Sequence, residues 1–207
     1  MNKSMIVLTL VLLSTGVFAQ QTKNTWTFDN DQPGQIAGGF ANEMGDWKVV
    51  ADAGAPSKPN VLAQTAKSSS STFNLVLLRD LQFKDVDVSV QMKSVAGKTD
   101  QGGGLVWRAR DAGNYYIVRY NPLEDNFRLY RVVKGSRSAP LRDITIKHAD
   151  GWHELRVIMS GESIECYYDG KKYIEFRDTT FKEAGKIGLW TKADAQTRFD
   201  DLSVRGK

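Results

Sequence analysis

The chain has 207 residues, with 28 lysines and arginines against 24 acids and a formal net charge of +4 at pH 7. These charges are scattered without a basic run, which argues against a nucleic-acid or membrane-surface partner. Cys166 is the only cysteine, so no intramolecular disulfide can form and stability must come from a hydrophobic core. At this length we expect one domain.

Residues 1–19 have the pattern of an export signal. Lys3 supplies a positive start, residues 5–13 are almost wholly apolar, and Ala19 ends a small-residue cleavage site. The apolar run is shorter than the roughly 20 residues that span a bilayer. We therefore expect a signal peptide over 1–19, a single domain over 20–207, and a periplasmic or extracellular protein with no membrane partner after cleavage.

From residue 25 onward the chain consists of short apolar stretches broken by turn residues, and none keeps a helical period for three turns. The predicted strands cover residues 25–28, 47–51, 60–63, 73–77, 85–93, 103–110, 114–120, 126–134, 141–145, 153–160, 163–168, 173–177, 185–192 and 197–205. Residues 29–46, 54–60 and 67–72 are predicted loops, because they are rich in glycine, proline or serine. This many short antiparallel strands predicts an all-β, two-sheet β-sandwich of the jelly-roll type.

Two local patterns support this fold class. Residues 85–93 alternate apolar and polar side chains, which is typical of an antiparallel strand with one face in water. Asp169 and Gly170 lie between two predicted strands and both tolerate the positive φ of a tight hairpin turn.

Residues 101–131 form three successive predicted strands that carry many arginines and tyrosines. One face of each strand must meet the core, and the other would then present planar donors and aromatic rings to a polar ligand such as a sugar. A merely solvated sheet face is the alternative, and a bulge would exchange the two faces of any strand. The candidate ligand-binding residues are Arg108, Tyr115, Arg119, Asn121, Glu124, Asn126, Arg128 and Tyr130, with Trp190 and Lys192 from the strand at 185–192.

Several motifs resemble those of the concanavalin A-like lectin/glucanase superfamily. They are Trp-x-Phe-Asp at 26–29, Gly-Asp-Trp-x-Val at 45–49, Gly-Gly-Leu-Val-Trp-Arg at 103–108, Asn-Tyr-Tyr at 114–116, Trp-His-x-Leu-x-Val at 152–157, Tyr-x-Asp-Gly-Lys at 167–171, Gly-Lys-Ile-Gly-Leu-Trp at 185–190 and Phe-Asp-Asp-Leu-x-Val at 199–204. Within the superfamily, the chain is most similar to bacterial secreted domains of the laminin G-like and 3-keto-disaccharide hydrolase types. The resemblance implies the fold more strongly than the activity, because this sandwich carries many functions.

The catalytic signals are weak. No strand carries the Glu-x-Asp-x-Glu pattern of family 16 glucanases, which disfavours that retaining chemistry. Carboxylates at positions 100, 111, 124 and 125 lie in loops, where each could act as an acid or base or be a solvated turn residue. His153 is expected to be structural and Cys166 to be buried. No phosphate loop or zinc spacing is present, so no organic cofactor is expected.

The leading hypothesis is an exported β-sandwich that binds or processes a glycan. The first alternative is an enzyme of the 3-keto-disaccharide hydrolase type, a hydrolase or lyase that acts on oxidised sugars. The second is a laminin G-type module that binds protein. Carbohydrate is the expected partner in the first two cases.

A structural calcium ion is also predicted, because many members of the resembled superfamily bind one. Asp29, Asp31 and Asp201 would supply carboxylates, and Gly45 a carbonyl oxygen. Three apolar residues near the end of the chain, Phe199, Leu202 and Val204, cannot all face inward unless the intervening aspartates form a bulge.

Overall fold

The computed structural model describes residues 23–206, so the predicted signal peptide at 1–19 lies outside the described residues. Within that range the regular structure is entirely β, and no helix long and apolar enough to cross a membrane is found there. The strands are β1 (Lys23–Trp26), β2 (Phe40–Met44), β3 (Trp47–Ala51), β4 (Asn60–Gln64), β5 (Phe73–Phe83), β6 (Val86–Ala96), β7 (Gly103–Asp111), β8 (Asn114–Asn121), β9 (Asn126–Val133), β10 (Ser136–Arg137), β11 (Arg142–Thr145), β12 (His153–Ser160), β13 (Ser163–Tyr168), β14 (Lys171–Arg177), β15 (Gly185–Lys192) and β16 (Gln196–Gly206).

The strands form two antiparallel sheets that pack face to face. Sheet A has the order β14-β13-β12-β6-β16-β4-β3, with β1 also pairing with β16. Sheet B has the order β10-β9-β8-β7-β15-β5-β2, with β11 also pairing with β9. The all-β, two-sheet antiparallel sandwich predicted from the sequence is confirmed.

The main hydrophobic core lies between the sheets. Strand β6 contributes Val86, Val88, Val90 and Met92, all at most 3% exposed, as its alternation predicts. Trp107 of sheet B is fully buried and donates its indole N–H to the sulfur of Met159 in sheet A at 3.0 Å. Its ring stacks on Tyr116 at a centroid distance of 5.5 Å. The contact between Trp107 and Met159 joins the two sheets across the core.

Two strands were not predicted from the sequence. Strand β2 lies inside the predicted loop at 29–46, because Phe40 is fully buried in the core and Gly39, at a φ of 81°, turns the chain toward sheet B. Strand β10 has two residues, too few to produce a recognisable alternation. The prediction that residues 29–46 are entirely loop is therefore wrong, since burial of one aromatic ring outweighs the surrounding glycines.

The bulge predicted near the end of the chain is present. The register of β16 against β6 shifts between Asp200 and Ser203, and Asp201 has a φ of 48°. Phe199, Leu202 and Val204 are all fully buried, as the bulge allows. The Asp200 carboxylate turns toward the loop before β4, where it accepts hydrogen bonds from the Ser57 amide at 2.8 Å and hydroxyl at 2.9 Å.

Candidate functional site

The strand pairing decides which side chains lie on the outer face of sheet B, the face turned away from the core. Tyr130 pairs with Ile117 across β8 and β9, and Trp190 pairs with Leu75 across β15 and β5. The residues of this face that cluster together form what we call the apolar floor: Leu75, Leu77, Val106, Ala109, Tyr115, Ile117, Tyr130, Val132 and Trp190. Sheet B therefore has apolar residues on both faces, whereas a solvated sheet has them on one.

Arg137 lies across this floor. Its guanidinium carbon is 4.4 Å from the centroid of the Tyr130 ring and 5.5 Å from that of the Phe73 ring. Those rings stand on β9 and β5, which are four strand spacings apart in the sheet. In a flat sheet that separation would be about 19 Å. Sheet B is therefore curved, its outer face is concave, and Arg137 bridges the concavity.

A polar cluster adjoins the floor at the ends of β8 and β9, and Arg119 is at its centre. The guanidinium of Arg119 is 2% exposed, and its Nη2 donates to Oε2 of Glu124 at 2.8 Å. The same oxygen accepts from Asn126 at 2.9 Å and from Arg128 at 3.1 Å. Burial alone raises the pKa of Glu124, but the hydrogen bonds from Asn126 and Arg119 and the charges of both arginines lower it to about 2. Glu124 is therefore ionised at any ordinary pH.

Asp100 provides a second carboxylate, and its pKa is shifted in the opposite direction to that of Glu124. It is 1% exposed, and its Oδ1 accepts from the Gly102 amide at 2.6 Å and from Asn121 at 3.3 Å. Burial raises the pKa of Asp100, although the nearby charge of Arg119 opposes this rise. A Cβ built on Gly102 would meet Oδ1 of Asp100 at 2.9 Å and Nη1 of Arg119 at 3.2 Å, so the carboxylate and guanidinium converge on one point.

Some buried polar atoms of this region have no hydrogen-bond partner within residues 23–206. They are Nε and Nη1 of Arg119, Nη1 of Arg137 and Oδ1 of Asn126. An unpartnered buried donor costs about 1 to 3 kcal/mol, and more when it is charged, so folded proteins rarely retain one without a purpose. Three guanidinium donors and one amide acceptor are thus available to a polar ligand.

The structure brings together nine of the ten predicted ligand-binding residues on or beside this face, and Arg108 is the exception. The register of β7 against β8 shifts after Trp107, and Arg108 has a φ of 47°. The bulge turns its side chain inward between the sheets, where it donates to the carbonyl oxygens of Lys84, Phe181 and Gly161 at 2.6 to 2.7 Å. Arg108 is therefore a structural residue.

The predicted aromatic residues lie on the correct face but are covered. Tyr115 and Trp190 are fully buried, Tyr130 is 2% exposed, and the Trp190 indole N–H donates to the Tyr115 hydroxyl at 3.2 Å. They form the floor below Arg137 instead of an open stacking surface. Lys192 lies further along β15, where its charge is felt by Asp100.

Two members of the site, Arg137 and Phe73, were missed by the sequence analysis. Arg137 lies on a two-residue strand, which is too short for a recognisable alternation, and Phe73 lies on β5, across the sheet. The sequence does not indicate that these two side chains meet, because they are far apart along the chain.

The predicted calcium ligands are not all neighbours. Burial and the charge of Asp29 both raise the pKa of Asp201, so these two carboxyl groups are close. Gly45 lies elsewhere, because a Cβ built there would touch Asn74. Asp29 accepts a hydrogen bond from the backbone amide of Asn60, at the start of β4, whereas Gly45 lies near the strand β3 residue that pairs with the end of β4. Gly45 is therefore not a ligand of this set. Among residues 23–206, no three His, Cys, Asp or Glu residues are grouped to hold a metal ion.

The two-sheet fold is consistent with the resemblance to the concanavalin A-like lectin/glucanase superfamily. Residues 22–205 match the model of the 3-keto-alpha-glucoside-1,2-lyase-like domain, and the chain belongs to that family. A comparison with curated protein sequences gives no match. The chain is thus a carbohydrate-related β-sandwich domain.

Several solved structures share the fold at low sequence identity. The carbohydrate-binding module CBM66 from Bacillus subtilis aligns with a TM-score of 0.68 and 17% identity, over 81% of this chain and 96% of that one. A GH43 protein from Bacillus licheniformis aligns with a TM-score of 0.63 and 14% identity, over 89% of this chain and 39% of that one. A xylan beta-1,4-xylosidase from Bacillus halodurans aligns with a TM-score of 0.59 and 15% identity, over 87% of this chain and 38% of that one.

Proposed function

We propose that the protein cleaves 3-keto-α-glucosides by elimination, with the sugar bound on the outer face of sheet B. The observation that carries the proposal is the arrangement of Asp100 and Glu124 around Arg119. The environment raises the pKa of one carboxyl group and lowers that of the other. Two titratable groups whose pKa values are pushed apart are typical of an acid–base site. The family match supplies the substrate class.

The reaction needs a base and an anion stabiliser. A ketone at C3 acidifies the hydrogen on C2, so a base can remove it and leave an enolate whose negative charge rests on the C3 oxygen. The enolate electrons then form the C1–C2 double bond, the C3 carbonyl is restored, and the C1–oxygen bond breaks. The departing oxygen takes a proton from water, and the hydroxide left behind takes the C2 proton from the base, which regenerates its carboxylate.

The residues of the polar cluster suit these tasks. Asp100 is the proposed base, since burial makes its carboxylate more basic. Arg119 offers two unpartnered N–H donors for the enolate oxygen, and fixed donors in a buried site stabilise developing charge strongly. Glu124 stays ionised and holds the guanidinium in place through its 2.8 Å hydrogen bond. It is a positioning residue.

Substrate entry requires a change of side-chain conformation. Asp100 and Arg119 are at most 2% exposed, whereas Glu124 and Arg128 at the rim are 40% and 27% exposed. Arg137 is half-buried above the floor, and it stands on a short strand at the edge of sheet B. Rotation of Arg137 away from the rings would open the concavity to a sugar.

The test is turnover of a 3-keto-α-glucoside, followed by the appearance of the unsaturated keto-sugar. Asp100→Asn should abolish turnover, and Asp111→Asn, in the exposed β7–β8 turn, is the matched control. The rate should rise with pH through the pKa of Asp100, because the base must be ionised. Full activity of Asp100→Asn would refute the assignment of the base, and absence of turnover by the wild-type protein would refute the function.

A binding function without turnover is the second candidate. It is favoured by the three-ring floor of tyrosine and tryptophan, which rotation of Arg137 would uncover, and the structurally similar CBM66 is named as a carbohydrate-binding module. Glycan binding by wild-type protein that turns over no keto-sugar would favour it. Under either function, cleavage of the predicted signal at 1–19 would place the protein in the periplasm or outside the cell, which N-terminal sequencing of the exported protein would test. The laminin G-type alternative stays a prediction.

A further inference from the structure

The arginines on the concave face of sheet B differ in their ion-pair partners. Arg119 and Arg128 share the carboxylate of Glu124, and Arg128 also pairs with Asp143 at 2.8 Å. For Arg137, no carboxylate of residues 23–206 lies within ion-pair distance. Its guanidinium instead lies over the faces of two aromatic rings.

The surroundings of Arg137 are unfavourable for a lone cation. Burial lowers the pKa of Arg137 and so does the positive charge of Arg119, although the negative charges of Asp100 and Glu124 act in the other direction. Both guanidinium groups approach the same Tyr130 ring, at 4.4 Å for Arg137 and 5.9 Å for Arg119. Two like charges side by side in a partly buried site favour binding of an anion between them.

Both arginines have free hydrogen-bond donors. Nη1 of Arg137 and both Nε and Nη1 of Arg119 are buried and lack a partner in the described chain. Sugar hydroxyls could accept these hydrogen bonds but would not offset the charge of Arg137. A carboxylate or sulfate would do both, since its oxygens match the planar fork of a guanidinium.

We infer that Arg137, together with Arg119, recognises an anionic group on the sugar, so that the ligand of this face is an acidic saccharide. The inference rests on the proposed function in placing a sugar on this face. Arg137 acts as the specificity residue: the anion draws its guanidinium away from the Phe73 ring and thereby uncovers the floor. A neutral sugar lacks the group that would do this.

Calorimetric titration with three methyl glycosides tests the inference. The probes are methyl α-D-glucuronide, methyl α-D-glucoside 6-sulfate and the neutral methyl α-D-glucoside, which differ only at C6. We expect at least one anionic probe to bind at least tenfold more tightly than the neutral one. The tighter of the two identifies the anion as carboxylate or sulfate. Equal affinity for all three probes, or binding of none, would overturn the inference.

Two variants assign the preference to Arg137. Arg137→Gln should weaken binding of the anionic probe at least tenfold and should abolish the preference for that probe over the neutral one. Arg137→Lys should keep part of the preference, and it preserves a folded, positively charged site if Arg137→Gln is unstable. The matched control is Arg142→Gln, because Arg142 also lies 4.4 Å over a ring, that of Phe176, outside the site. If Arg137→Gln keeps the full preference for the anionic probe, Arg137 is not the specificity residue.

This readout is separate from turnover of a keto-sugar. If the anionic preference is present and depends on Arg137 but no keto-sugar is cleaved, the inference stands and the proposed function fails. If neutral 3-keto-α-glucosides are cleaved without any anionic preference, the function stands and the inference fails.

Discussion

Glu124→Gln tests the electrostatic organisation of the site through stability. The glutamate carboxylate accepts hydrogen bonds from Arg119 at 2.8 Å, Asn126 at 2.9 Å and Arg128 at 3.1 Å. Glutamine keeps the size of the side chain and removes its negative charge. The 2% exposed guanidinium of Arg119 is then left without its counter-ion.

The expected magnitude follows from the pKa of Glu124, which falls from 4.5 to about 2. At about 1.4 kcal/mol for each pH unit, such a drop corresponds to roughly 3 kcal/mol. The side chain is 40% exposed, so solvent screening reduces the contribution, and we expect a destabilisation of about 1 to 2 kcal/mol at neutral pH. Because the folded-state pKa is below the unfolded-state value, the stabilisation is complete above about 4.5 and is lost as the pH falls toward 2.

Urea unfolding of wild type and Glu124→Gln between pH 2.5 and 7 measures this difference. The difference in the free energy of unfolding between wild type and Glu124→Gln should be constant near neutral pH. It should decrease toward zero as Glu124 becomes protonated. Glu43→Gln, an exposed glutamate of β2, is the control and should differ little from wild type at any pH. A gap that does not change with pH, or no gap at pH 7, would refute the reasoning.

Three further outcomes are expected. Asp200→Ala should lower the free energy of unfolding in urea by about 2 to 4 kcal/mol, because it leaves the backbone amides of Ser57 and Asp201 without their acceptor. A decrease below about 1 kcal/mol would contradict this. Gly102→Ala should weaken binding of any sugar ligand in calorimetry, because the added methyl group meets Oδ1 of Asp100 and Nη1 of Arg119 at the proposed binding site; unchanged affinity would contradict it. For the predicted calcium ion, a chelator should lower the thermal midpoint of wild type but not of Asp201→Ala, and an unchanged wild-type midpoint would exclude it.

Much of the fold could be predicted from local pattern. The alternation of β6 places its four apolar residues in the core, and Asp169 and Gly170 take φ values of 47° and 74° in the hairpin that their types predict. The bulge of β16 was predictable because three apolar residues with the wrong spacing had to be buried together. These features depend on the two-residue period of a strand and on turn chemistry, which are properties of neighbouring residues.

The candidate site was decided by the tertiary structure. Whether Arg108 faces the ligand or the core depends on a bulge in β7, which nothing in its own alternation reveals. Asp100 is one of four loop carboxylates that the sequence offers as an acid or base, and only its burial beside Arg119 singles it out. Arg137 joins the site because the curvature of sheet B brings Phe73 and Tyr130 to either side of it. The pairing and curvature of the sheets decide which side chains are buried and which distant strands come into contact. Local sequence patterns therefore identify the strands that carry the site but not the side chains that meet in it.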